Sequence, residues 1–186
     1  MGFMSRFLLA AALILAVPHA ASGQDGVGAN PGHTVLLIVL DGLRPDYVTP
    51  ERMPNLYALG GRGVVGEKHH SVFPTVTRIN ASSFATGAYP KTHGVMGNTI
   101  YYPGITDGPK STGDAKNLMA VNEKTDNRLQ TTPTLAELVE ASGGRLLVAS
   151  AGSSGSAYCL NTRVSGGAII NAELVLPADL QPVVDE

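Results

Sequence analysis

The chain has 186 residues, of which 44% are hydrophobic and 15% charged, and a formal net charge of −2. That length holds one ordinary domain with a sizeable core, and so small a charge sets up no long-range field for nucleic acid or an anionic lipid surface, so no nucleic-acid-binding surface is expected. The lone cysteine, Cys159, excludes an intramolecular disulfide and reads as a buried, inert thiol.

Residues 1–23 read as a signal peptide: Arg6 supplies positive charge, residues 7–17 an apolar run, and Ala21-Ser22-Gly23 a small-residue cleavage site before Gln24. The run is shorter than the ~20 apolar residues that span a bilayer, so cleavage is expected, with no membrane span left after it. The mature protein is then exported, periplasmic or extracellular. Residues 24–33, rich in Gly, Asn and Pro, read as a flexible leader.

Residues 34–40 are almost continuously apolar and partly β-branched, the pattern of a central parallel strand covered on both faces. Asp41-Gly42 ends it, which puts Asp41 at the carboxyl edge of a sheet, where open α/β folds place ligands. Met53, Leu56, Ala58 and Leu59 predict a short helix between Pro54 and the Gly60-Gly61 stop, residues 64–68 a second strand, and residues 69–74 a loop. Residues 77–85 predict a helix with Thr77 as N-cap, Ile79 and Phe84 on its packed side, and Gly87 as its stop. Thr77 then sits among unpaired N–H groups at a positive helix end, a natural phosphate-oxygen site.

Residues 89–112 read as an extended loop over one rim. Thr132-Pro133 opens a helix with Leu135, Leu138 and Val139 on its apolar face, Gly143-Gly144 closes it, and residues 145–150 form a strand. The Ser- and Gly-rich residues 150–156 lack the lysine of a nucleotide loop and read as a strand-to-loop turn. The tail, residues 177–186, shows no finishing element. Strands alternating with helices predict an α/β fold with a mainly parallel sheet and helices on both faces.

A carboxylate at a strand end beside a helix-start hydroxyl offers both halves of a metal-activated nucleophile, which singles out Asp41 and Thr77. Thr75 is chemically equivalent and two residues away; only motif register favours Thr77.

The segments Leu40-Asp41-Gly42-Leu43-Arg44-Pro45-Asp46-Tyr47, Met53-Pro54-Asn55-Leu56, Pro74-Thr75-Val76-Thr77 with Asn80, Ala85-Thr86-Gly87 with Tyr89-Pro90 and His93-Gly94, and Asn98 follow one another in register. Together they resemble the nucleotide pyrophosphatase/phosphodiesterase (type I phosphodiesterase) family of the alkaline phosphatase superfamily, over about residues 35–171. The resemblance implies an alkaline phosphatase-like fold and a zinc-dependent hydrolase of phosphodiester or nucleotide small molecules. By it Thr77 looks like the nucleophile, Asp41 like a ligand of the zinc that Thr77 also meets, and Asn98 like the asparagine that binds a non-bridging phosphate oxygen.

Family members often read Thr-Phe-Pro-Asn-His from the nucleophile onward, whereas here Thr77 is followed by Arg78-Ile79-Asn80-Ala81, which keeps only the asparagine. Arg78 is therefore a candidate substrate-binding residue favouring a more negatively charged substrate, with a solvated surface arginine as the alternative. The family holds two zinc ions and takes most of their ligands from the second half of a longer chain, whereas no histidine follows His93 here. His69-His70 show no zinc-motif spacing, and His93 reads as structural. Residues 34–186 are accordingly expected to be the N-terminal part of the catalytic domain, weak or inactive alone. The other reading is a non-catalytic, metal- or phosphate-binding truncated homologue acting through a partner.

Overall fold

The computed structural model describes residues 34–164 and 166–185. The expected signal peptide and leader lie outside the described residues. In chain order, a 3-10 turn at Pro45–Tyr47 precedes α1 (Pro54–Gly60), α2 (Thr77–Thr86), α3 (Pro90–His93), β1 (Thr99–Ile100), β2 (Lys110–Ser111), α4 (Ala115–Lys124) and α5 (Leu135–Ala141). There follow β3 (Leu147–Ser150), α6 (Ser154–Leu160), β4 (Ala168–Asn171), β5 (Leu174–Leu176), a 3-10 turn at Ala178–Leu180 and α7 (Gln181–Val184). No described helix is long and apolar enough to cross a membrane.

Helices and small sheets combine in an α/β architecture, but the sheet is not mainly parallel among the described residues. β3 pairs with β4 in parallel, Val148 opposite Ile169, with α6 as the crossover. β4 and β5 pair antiparallel, because the short connection at Ala172 and Glu173 only permits a hairpin. β1 and β2 form a separate antiparallel pair. Nor, among the described residues, do helices cover both faces: Val148 and Ile169 turn into the core beside Ala157 and Cys159 of α6, whereas Leu147 is 71% and Ile170 41% exposed on the other side.

The strand expected at residues 34–40 is not in a sheet. The segment is extended, yet all six apolar side chains from Val35 to Leu40 lie exposed, from 91% at Val35 to 48% at Leu40. Its apolar run is what a central strand needs, but no described strand lies alongside it. Residues 64–68 likewise form no strand, and Val64 is fully exposed.

The core gathers where α2, α4 and α6 meet. α4, unassigned from the sequence, is capped by Asp114, whose side chain accepts from the Lys116 N–H, and buries Ala115, Leu118, Val121 and Asn122 at helical spacing. α5 begins with a full capping box between Thr134 and Glu137. Its expected apolar face is turned outward: Leu138 is 61% and Leu135 40% exposed, and Ala136 alone is buried. Ala136 is small enough to let this short helix close on α2, and the Glu137–Arg163 ion pair at 3.0 Å holds that rotation. Residues 150–156 do more than turn: Ser153 caps α6 through the Ser156 N–H.

The structure also breaks up the expected loop of residues 89–112 with α3 and the β1–β2 pair.

Candidate active site

α2 runs for ten residues and stops at Gly87, whose φ of +64° is the left-handed conformation glycine accepts without strain. At its other end the N-cap is Val76, with no side-chain capping bond, so Thr77 is the first helical residue and not the expected cap. The Thr77 hydroxyl is directed elsewhere: Oγ1 donates to Asp41 Oδ2 at 2.7 Å. Asp41 is presented by the turn after the 34–40 segment, closed by the Leu43 N–H on Leu40 O (3.2 Å) with Gly42 at φ +75°. Two residues 36 positions apart in sequence thus meet at the uncapped N-terminus of a helix. Both are exposed, so the pair faces solvent. The Thr75 hydroxyl, also exposed, makes no hydrogen bond among the described residues.

Asn80 holds the approach to Thr77. Its Oδ1 accepts from the Val72 N–H at 3.0 Å and its Nδ2 donates to Val76 O at 3.1 Å, bracketing the turn around Pro74. Asparagine is a poor residue for a helix interior unless its side chain has such work, and that is the signal a sequence offers. Arg78 is half-buried, and its Nε donates to Thr112 Oγ1 at 2.9 Å. The side chain is therefore not the freely solvated arginine of the alternative reading. Asn98 is exposed and joined to the same region through its backbone, its carbonyl accepting from the Thr112 N–H at 2.9 Å.

His93 is buried. The Val95 N–H donates to Nδ1 at 3.1 Å, which leaves the ring proton on Nε2, 3.0 Å from Ser83 Oγ. A ring nitrogen that already carries a proton cannot take one from Ser83, so this pair is not a nucleophile–base couple. Burial pushes the His93 pKa below its usual value. Cys159 is fully buried and its thiol is pushed up to about 11 by desolvation, consistent with an inert side chain.

Asp41 and Thr77 supply two adjacent oxygen donors, a fit for part of a metal's first shell. His69 and His70 are exposed on the loop, and no group of three His, Cys, Asp or Glu that could hold a metal ion occurs among the described residues. The pair is thus a partial donor set, and the expected two-zinc site is not assembled by these residues.

The Thr77 hydroxyl bonded to the Asp41 carboxylate at the uncapped N-terminus of α2 falls inside the stretch, residues 35–165, that matches the family model for type I phosphodiesterase / nucleotide pyrophosphatase. The chain belongs to this family. Its family's members are phosphodiesterase and nucleotide pyrophosphatase hydrolases. A bis(5'-adenosyl)-triphosphatase of Xenopus laevis is 38% identical over 79 residues, 42% of this chain and 17% of the relative. An uncharacterized pyrophosphatase/phosphodiesterase of Schizosaccharomyces pombe is 39% identical over 70 residues, 38% of this chain and 14% of the relative. A venom phosphodiesterase of Crotalus adamanteus is 36% identical over 69 residues, 36% of this chain and 8% of the relative. The chain therefore spans less than a fifth of the length of these relatives. No solved structure matches.

Proposed function

We propose that this type I phosphodiesterase-family chain carries the nucleophile of an exported, zinc-dependent hydrolase of phosphodiester or nucleotide pyrophosphate bonds. The observation that carries the reading is the 2.7 Å bond from Thr77 Oγ1 to Asp41 Oδ2 at the uncapped start of α2. In this reading Thr77 Oγ1 attacks phosphorus in line with the leaving oxygen, forming a Thr–O–P bond as the P–O bond to that oxygen breaks; water then cleaves the Thr–phosphoryl ester. Asp41 fixes the hydroxyl in the attacking orientation and is the acceptor its proton faces. The free N–H groups of the first α2 turn and the Asn98 side chain stand for the charge that develops on the non-bridging oxygens. Asp41 and Thr77 would hold a zinc ion, which would supply the Lewis acidity that makes the hydroxyl acidic near neutral pH. Arg78 has its Nε on Thr112 and its remaining N–H groups for a substrate's extra negative charge.

The relatives named as triphosphatase and phosphodiesterase support the substrate class, and the venom relatives support export. The test is Thr77→Ala in the native protein, with bis(p-nitrophenyl) phosphate as substrate. Turnover is expected to disappear while bound zinc, measured by atomic emission, falls only in part; hydrolysis that survives in Thr77→Ala removes Thr77 as nucleophile and points to Thr75. A second reading, a non-catalytic metal- or phosphate-binding protein completed by a partner, draws on the exposed 34–40 segment and the partial donor set.

A further inference from the structure

Thr112, which no motif singles out, is wholly buried and makes three hydrogen bonds to two separate parts of the site. Its hydroxyl accepts from Arg78 Nε at 2.9 Å and donates to Gly97 O at 3.0 Å, and its N–H donates to Asn98 O at 2.9 Å. Arg78 directly follows Thr77 in the first turn of α2, and Gly97-Asn98 lead into β1. One hydroxyl therefore ties the helix that carries Thr77 to the segment that carries Asn98.

Thr112 is itself held from behind. The Gly155 N–H donates to Gly113 O at 3.0 Å, and α6 packs so close that a Cβ on Gly155 would lie 2.0 Å from Thr112 O. Asn117 Nδ2 donates to Ser111 O at 3.0 Å on the other flank. The Asn98 side chain, by contrast, is exposed and makes no hydrogen bond among the described residues, so its placement depends on its backbone.

We propose that Thr112 is a positioning residue, which fixes Asn98 relative to Thr77 so that both address one phosphoryl group. This rests on the reading above, in which Thr77 and Asn98 act together. Valine at this position keeps the shape and the backbone bond to Asn98 but removes both hydroxyl bonds; serine keeps the hydroxyl.

The experiment compares Thr112→Val, Thr112→Ser, Asn98→Ala and the Asn98→Ala/Thr112→Val double variant of the native protein on bis(p-nitrophenyl) phosphate. Loss of one transition-state donor costs about a hundredfold in kcat, and misplacing it about tenfold, with KM little changed. Thr112→Val is expected to lose about tenfold in kcat, Thr112→Ser to recover it, and Thr112→Val to add nothing in the Asn98→Ala background. The side-chain amide resonances of Asn98 should shift or broaden in Thr112→Val while those of Asn171 stay. Fully additive losses, no rescue by serine or an unmoved Asn98 resonance overturns the role of Thr112. An Asn98→Ala variant with undiminished kcat overturns instead the underlying assignment of Asn98.

Discussion

The Thr77 hydroxyl had two local uses open to it, capping α2 or bonding a carboxylate, and it makes the second. Leaving the helix end uncapped gives up about 1 kcal/mol of local stability, a cost borne where an anion can be received. His93 shows the opposite economy, a buried ring held neutral by the Val95 N–H and Ser83. Its pKa is lowered by burial from the usual 6.5, so the unfolded chain takes up a proton first as pH falls. The stability this group contributes is complete above 6.5 and is lost as pH drops through that value toward the lower folded pKa. Urea titrations at pH 7.5 and 5.5 should show a smaller midpoint drop in His93→Gln than in the parent; equal drops would assign the acid sensitivity to other groups. Asp41, Thr77 and Asn98 could be singled out as candidates from the sequence because each sits in a motif. Thr112 was not, because its importance lies in bonds to residues 34 and 15 positions away.

At the scale of elements, the short helices are set by their ends. Thr134 with Glu137 starts α5, Asp114 starts α4, and Gly87 stops α2. The sequence showed α1, α2, α5 and β3 through such stops and starts, but it misjudged which face of α5 is covered, since that depends on neighbours. α6 is the tightest case: its first six residues, Ser154 through Cys159, are buried, and the approach of Gly155 to the Thr112 carbonyl leaves no room for a methyl group. Gly155→Ala should cost about 1–3 kcal/mol and lower the melting temperature by several degrees in calorimetry. Gly152→Ala, whose added carbon would meet nothing nearer than Ser150 Oγ at 3.6 Å, should leave it unchanged. Equal melting of the two variants would show that the α6 contact relaxes freely.

At the scale of the molecule, the dominant feature among the described residues is exposed apolar surface. Val35 to Leu40 is exposed and has no strand partner among the described residues, a combination that promotes edge pairing and association. Leu37→Lys, at a side chain 64% exposed, should reduce self-association in light scattering without lowering the melting temperature; a variant that melts lower would mean the native protein covers this segment. The sequence by itself determined the family and the α/β class and singled out Asp41 and Thr77 as candidates, because motif order, apolar runs and turn residues are properties of neighbours along the chain. Only the tertiary structure decided that Thr77 rather than Thr75 bonds Asp41, that Arg78 is tied to Thr112, and that the 34–40 segment lies outside the described sheets. Each of these turns on which distant groups come within hydrogen-bonding or packing distance, and local pattern carries no record of that distance.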